Sequence, residues 1–252
     1  MQVRQWQALK KLLAGDLYFD HTMRTVYATD ASAYRELPLA VVLPKNSQDI
    51  QQLIGFAHRH KLSLIPRAAG TSLAGQCVGK GIVVDVSKYM NKVLEVNTDE
   101  KWVRVQPGIV RDELNAYLKE YGLFFGPNTS TANRAMIGGM VGNNSCGSYS
   151  IVYGNTRNHT LEIKALLSDA SEVVFKSLSK AEMRRKSIGS SLESQLYRHI
   201  SQLLGNPENQ SEIRCEFPKK SIHRRNTGYA IDELLNSNAF TYGGNDFNFC
   251  TL

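Results

Sequence analysis

Apolar positions fall into short runs whose spacing alternates between strand and helix. Trp6 to Leu13 predicts a short helix stopped by Gly15, and residues 16 to 38 read as a polar, irregular lead-in that wraps the domain. Regular alternation then begins. Leu39 to Leu43 predicts a strand, and Ser47 is placed to cap a helix whose Ile50, Leu53, Ile54 and Ala57 form one stripe. Leu62 to Ile65 and Ile82 to Val86 predict two further strands, which gives a β-α-β unit ending near Lys88. The loop after residue 65 should sit at the carboxyl end of its central strand, the edge where such sheets bind ligands.

A second region opens with a predicted hairpin, Val93 to Val96 and Val103 to Val105, turning at Asn97-Thr98-Asp99-Glu100. Arg111 to Tyr121 predicts a helix with Leu114, Tyr117, Leu118 and Tyr121 on one face. Leu161 to Leu167 and Glu172 to Phe175 predict a second hairpin across Ser168-Asp169-Ala170-Ser171. A helix from about Ser191 to Leu204 carries an expected capping box, Ser190 with Glu193. The expected class is α+β in two lobes: a lead-in over 1–38, a first lobe over 39–90 and a second over 91–252.

Two loops carry the candidate chemistry. The first reads Pro66-Arg67-Ala68-Ala69-Gly70-Thr71-Ser72. Without large side chains its backbone N–H groups can approach a ligand, and successive N–H groups in a turn form an anion nest suited to a pyrophosphate. Read by itself, the same stretch is equally a tight turn between two strands. The second runs from Gly126 to Gly154 through Asn128-Thr129-Ser130-Thr131, Met136, Gly138-Gly139, Gly142-Asn143, Ser145-Cys146-Gly147 and Tyr153-Gly154. It is rich in Gly, Ser, Thr and Asn and poor in charge. Amides, hydroxyls and bare backbone suit a large, polar, mostly neutral ring system, so the two loops together describe a cradle for a long dinucleotide.

The order Pro-Arg-x-x-Gly-Thr-Ser, then Val105-Gln106-Pro107-Gly108, then Ile-Gly-Gly-Met-x-x-Asn-x-x-x-Gly, then Tyr-Gly resembles the FAD-binding domain of the vanillyl-alcohol oxidase and p-cresol methylhydroxylase superfamily. The branch it is most similar to is that of the glycolate oxidase D-subunit and D-lactate dehydrogenase. The resemblance covers about residue 39 to the end of the chain. It implies a two-lobed fold with the dinucleotide between the lobes. It implies FAD held by Pro66, Arg67, Ala68, Ala69, Gly70, Thr71, Ser72, Pro107, Gly108, Asn128, Thr129, Ser130, Thr131, Met136, Gly138, Gly139, Gly142, Asn143, Ser145, Gly147, Tyr153, Gly154 and Ile163. Covalent members often place His in the first loop; Thr71 stands there, which implies non-covalent FAD.

The implied reaction is oxidation of a 2-hydroxy acid such as D-lactate, glycolate or D-2-hydroxyglutarate. In the resembling branch the catalytic base and carboxylate clamp lie mostly on a separate substrate-binding domain, so no catalytic residue is nominated. The apolar, strand-like Asn245 to Leu252 and the absence of a following Gly-Ser-Glu-Gly-Thr-Leu motif lead us to expect the flavin domain of a longer enzyme, inactive alone. Tyr27-Ala28-Thr29-Asp30-Ala31-Ser32-Ala33-Tyr34 resembles members fused to iron–sulfur modules, so the expected partners are the substrate domain and an iron–sulfur module or other electron acceptor.

Composition narrows the alternatives. The chain has 252 residues, 42% hydrophobic and 21% charged, with no apolar run near the roughly 20 residues that span a bilayer. No basic region followed by an apolar core opens it, so no signal peptide is read. Four scattered cysteines (Cys77, Cys146, Cys215, Cys250) lack C-x-x-C spacing, which excludes zinc and iron–sulfur ligation and suits a reducing, cytoplasmic setting, with any membrane association expected only through an electron acceptor. Cys146 is read as a small filler near the ring. Arg67 either balances phosphate charge or closes a surface salt bridge. His58 and His60, at i and i+2 of a helix, do not face each other, and no metal is expected.

Net charge is +7, and residues 176–225 hold eleven Lys and Arg against five Glu, densest at Arg184-Arg185-Lys186 and Arg224-Arg225. No aromatic interleaving accompanies them, so nucleic acid is not the expected partner. Two rival functions remain. One is a flavin reductase similar to UDP-N-acetylenolpyruvylglucosamine reductase; the other is a flavin-free interaction module using the basic segment. The Arg-Asn-Thr-Gly-Tyr segment at 225–229 and the Ile-Gly-Gly-Met-x-x-Asn segment match the hydroxy-acid branch better than the first rival.

Overall fold

The computed structural model describes residues 2–219, 221–222 and 228–252. The chain divides into two compact units, Met1–Gly147 and Ser148–Leu252.

In the first unit, β2 (Ala40–Leu43) and β4 (Ile82–Asp85) pair in parallel and are buried along their whole length. Burial on both faces explains their unbroken apolar runs. Ala40, Val42, Ile82 and Val84 point to one face, against Trp6 and Leu9 of α1 (Val3–Lys10) and Leu53 and Phe56 of α3 (Ser47–His60). Val41, Leu43 and Val83 point to the other, beside Tyr18, Tyr27, Ile65 and Tyr89. This is the two-residue alternation of a strand read twice.

Three expectations are corrected here. The lead-in is not irregular: β1 (Asp16–Tyr18) pairs antiparallel with β2, and α2 (His21–Val26) follows, capped by Asp20. Strand order is β1-β2-β4-β3, so β3 (Leu64–Arg67) is an edge strand rather than the central one. Pro66, which has no N–H to give a second neighbour, fits that edge. Helix α3 is capped by Asn46, whose side chain accepts from Asp49 N, and not by Ser47; its buried face is Asp49, Leu53, Phe56 and Ala57.

The remainder of the unit packs a hairpin, β5 (Val93–Asn97) and β6 (Trp102–Val105), against α4 (Arg111–Leu118). Leu114 and Leu118 are buried, but Tyr117 and Tyr121 lie at the surface with ring centroids 5.7 Å apart, so the apolar stripe of this helix is narrower than the sequence suggests. A short helix, α5 (Ile137–Gly142), closes the unit.

The second unit contains α6 (Ser150–Tyr153), a hairpin of β7 (Ile163–Leu166) and β8 (Glu172–Phe175), and four helices: α7 (Lys180–Lys186), α8 (Leu192–Gly205), α9 (Pro207–Glu216) and α10 (Ile231–Leu235). Tyr197, Leu204, Leu234, Leu235 and Phe247 form its core. The expected box of Ser190 with Glu193 is absent. Ser191 caps α8 by accepting from Ser194 N, while the reciprocal box belongs to Ser179 and Glu182 at α7. Asn245 to Leu252 is not a strand: Phe247 makes one bridge to Leu178, and residues 249–251 form a single turn of 3-10 helix.

Candidate functional site

The first loop leaves β3 at Arg67. From Ala68 to Ser72, five successive main-chain N–H groups donate to no acceptor among the described residues. Gly70 has φ +66°, the left-handed conformation that anion nests of consecutive N–H groups use. The Gly70 carbonyl faces away and accepts from Ala31 N at 3.1 Å. Ser72 shapes the far limb: its Oγ accepts from Ala74 N at 3.2 Å and contacts Gln76 Oε1. Neither loop holds a carboxylate, from Pro66 to Val78 or from Gly126 to Gly147.

The second loop comes up beside the first. A side chain at Gly139 would meet Ala68 Cβ at 3.3 Å, so α5 touches the first loop at bare backbone. Gly138 N donates to Pro107 O at 2.8 Å, which ties α5 to the Pro107-Gly108 turn. Gly108 N donates in turn to Met90 O at 2.7 Å. Around Gly142, apart from its chain neighbours and its own helix backbone, no heavy atom lies within 4 Å of where a Cβ would stand. Asn143 is exposed, and its Oδ1 accepts from Gln76 Nε2 at 3.4 Å. Gly147 lies directly against Asn128: any Cβ there would overlap the Asn128 carbonyl. The Thr129 and Thr131 hydroxyls are 3.4 Å apart, and Thr131 O receives Ala135 N at 2.7 Å. Met136 bridges Val110, and Ser145 N returns to Met140 O at 2.9 Å.

The structure thus brings together, within residues 1–147, the first loop, Pro107, Gly108, Asn128, Thr129, Thr131, Met136, Gly138, Gly139, Gly142, Asn143, Ser145 and Gly147; Ser130 is exposed on the same segment. Tyr153, Gly154 and Ile163 belong to the second unit. There His159 Nε2 donates to Tyr153 O at 2.6 Å, Gly154 has φ +74°, and Ile163 pairs with Phe175.

Among the described residues Arg67 forms no surface salt bridge, which was one of its two readings. Its Nη1 donates to Thr29 O at 2.8 Å and its guanidinium lies 5.2 Å from the Tyr27 ring centre. Sequence reasoning missed this group of supports: Tyr27, Thr29, Asp30, Tyr34 and Gln76. The Tyr27 hydroxyl donates to Asp85 Oδ2 at 2.7 Å, and burial pushes its ionisation far above the ordinary phenol range. Burial likewise raises the Cys77 thiol. For Asp30 burial acts upward, but hydrogen bonds from Ser32 and the Cys77 backbone outweigh it and hold the carboxyl below its usual value.

Among the described residues, no group of three or more His, Cys, Asp or Glu is placed to hold a metal, and no helix is long and apolar enough to cross a membrane. None of the four cysteines is in a disulfide. In the basic segment Lys186 pairs with Glu193, whereas His223 and Arg224-Arg225, with most of the Arg-Asn-Thr-Gly-Tyr segment, lie outside the described residues.

These features define a cofactor-binding α+β domain: a backbone anion nest beside a neutral wall of glycine, amide and hydroxyl. The chain matches the family described as the FAD binding domain over residues 38–176, more than half its length, and belongs to that family. It is 39% identical over 224 residues to D-2-hydroxyglutarate dehydrogenase of Pseudomonas putida, covering 87% of this chain and 22% of that protein. It is 32% identical over 148 residues to glycolate oxidase subunit GlcD of Bacillus subtilis, covering 58% and 32%. Among solved structures it superposes on alkyldihydroxyacetonephosphate synthase with TM-score 0.62 at 22% identity, covering 69% of this chain and 34% of that one. On p-cresol methylhydroxylase the TM-score is 0.57 at 15% identity, with 68% and 35% covered. The fold expected from the sequence is therefore the one found. The chain spans about a fifth of the length of its D-2-hydroxyglutarate dehydrogenase relative.

Proposed function

We propose that this chain is the flavin-binding part of an FAD-dependent dehydrogenase that oxidises a 2-hydroxy acid. The observation that carries the reading is the run of five unpaired main-chain N–H groups from Ala68 to Ser72, turned by Gly70 against the bare backbone of Gly139. Such a nest suits the pyrophosphate of a dinucleotide, and the absence of carboxylates from both loops removes charge repulsion.

The residues present fit FAD. Ala68 to Ser72 would hold the pyrophosphate. Pro107, Gly108, Gly138, Gly139 and Gly142 would form a flat wall at backbone distance. Asn128, Thr129, Thr131, Asn143 and Ser145 would donate and accept along the ribityl chain and ring edge. Ser130, Met136 and Gly147 complete the proposed set within residues 1–147. Thr71 offers a hydroxyl where a covalent link would need an imidazole, so FAD is held without a bond to the protein. When bound, FAD supplies the two-electron acceptor, while the chain's residues bind it and fix its orientation.

Similarity to enzymes named for D-2-hydroxyglutarate and glycolate supports a 2-hydroxy acid as substrate, with the proton-removing group and carboxylate clamp on residues outside this chain. The reading also places the protein in the cytoplasm, passing electrons to an iron–sulfur module or other acceptor, with the lobe division near residue 90 and FAD between the lobes. The test is dye-linked oxidation by the full-length enzyme of D-2-hydroxyglutarate, D-lactate and glycolate. Turnover of one of them supports the proposal; flavin reduction by NADPH alone contradicts it.

A further inference from the structure

We propose that Arg67 is a positioning residue, which clamps the loop Ala68–Cys77 onto the Thr29–Tyr34 segment instead of touching the phosphates of the dinucleotide. The inference rests on the flavin-binding reading of this loop. The sequence invites the opposite view, because an arginine at the mouth of a phosphate loop suggests a phosphate ligand.

The surroundings of the guanidinium argue against that view. Nη1 is used by Thr29 O at 2.8 Å. Its Cζ lies 5.2 Å from the Tyr27 ring centre, and the guanidinium also packs against Gly70, where a Cβ would come within 2.5 Å of Nη2 and 2.7 Å of Cζ. The side chain therefore packs against both an aromatic ring and the backbone of the nest. Asp30, next in the chain to Thr29, brings an opposite charge into the neighbourhood. Asp30 Oδ1 accepts from Ser32 N at 2.8 Å, but Oδ2 is buried without a hydrogen bond among the described residues. A buried carboxylate oxygen left unpaired is costly, and the Arg67 charge is a minor influence on this group, behind its hydrogen bonds.

Further contacts close the clamp. Ala31 N donates to Gly70 O at 3.1 Å. Gly75, at φ +72°, leaves room for the Tyr34 ring, which a Cβ there would meet at 2.7 Å. Arg67 and Asp85 are register partners across β3 and β4, and Asp85 holds the Tyr27 hydroxyl. The lead-in segment is thus the backrest of the loop, and Arg67 is the side chain that joins them. The nest can then bind phosphate through backbone N–H groups whose orientation is fixed beforehand.

The two roles predict opposite signs for one substitution. Asp30→Asn removes a negative charge from the segment that Arg67 holds. If Arg67 clamps the loop, FAD binding weakens; if Arg67 faces phosphate, losing a competing carboxylate tightens it. FAD affinity would be measured by flavin fluorescence for the wild-type chain, Asp30→Asn, Arg67→Lys and Arg67→Met. Hydrogen exchange over residues 68–77 would be followed in the FAD-free chains. We expect about tenfold weaker binding or more in all three variants, the scale of losing a hydrogen bond to a charged group. Lysine should fail to rescue because it has neither the fork nor the plane, and exchange over 68–77 should quicken in each FAD-free variant. Wild-type affinity in Arg67→Lys, tighter binding in Asp30→Asn, or unchanged exchange would overturn the proposal. If Arg67→Met does not fold, the other two variants decide. A wild-type chain that binds no FAD would sink the functional reading separately, while exchange in FAD-free protein still decides whether Arg67 holds the loop.

Discussion

Gly138 and Pro107 meet with no room for a side chain between them: a Cβ on Gly138 would lie 2.6 Å from Pro107 Cβ and 3.0 Å from Pro107 O. This contact seats α5 beside the first loop, so the wall of the candidate site depends on it. Gly142, on the same helix, has nothing beyond its chain neighbours and that helix's backbone within 4 Å of a Cβ position.

The pair makes a matched test. Gly138→Ala should destabilise the FAD-free chain by about 1–3 kcal/mol, the usual cost of overpacking against backbone. Gly142→Ala should leave its melting temperature unchanged or slightly raised, yet weaken FAD binding by filling open space in the proposed wall. Thermal melts with and without FAD check both outcomes.

Asp49 should prove the most sensitive carboxylate in the first unit. It is buried, and its two oxygens accept Ala14 N at 2.8 Å, Gly15 N at 2.9 Å and Lys45 N at 2.8 Å. Asp49→Ala leaves three N–H groups without their acceptor, with an expected loss on the order of 3 kcal/mol or more in urea unfolding. Asp49→Asn, which keeps one accepting oxygen, should fall between the two.

Asp16 gives a pH signature. Its Oδ2 accepts from Lys88 Nζ at 2.7 Å and the Tyr89 hydroxyl at 2.9 Å, and the Lys88 bond is the largest cause lowering its pKa below 3.8. A lowered folded value means the stabilisation is fully present above pH 3.8 and fades as pH falls through the folded value. Lys88 is raised above 10.5 by the same contact, so the upper limit lies in strong alkali. Asp16→Asn should therefore be less stable than wild type at pH 6 and equal to it near the acid end of a melting series. Both partners are partly exposed, so the difference should be small and shrink with salt.

Most of the scaffold could be read from the chain because its physics is local. Ile82 to Asp85 and Ala40 to Leu43 are apolar runs buried on both faces, and Thr98–Lys101 and Leu167–Ser171 carry turn residues between clear strands. The lead-in was illegible because β1 is only three residues long and gains its order from pairing with β2. The edge position of β3 is a property of sheet order, and Pro66 was its only local sign. Cap positions slipped by one residue at Ser47 and Ser190 because adjacent polar residues, Asn46 and Ser191, compete for the same N–H groups. In the candidate site, the small-residue loops announced themselves by composition. The setting of Arg67 did not, since Thr29 and Tyr27 reach it from about forty residues away.

The central claim is that these residues cradle FAD without bonding to it. The direct measurement is the visible spectrum of the folded chain after incubation with FAD and removal of excess, followed by acid precipitation. The account predicts a flavin spectrum near one equivalent per chain, with all colour released to the supernatant, because Thr71 offers no imidazole for a covalent link. A folded chain that stays colourless, or colour that remains in the pellet, would contradict it.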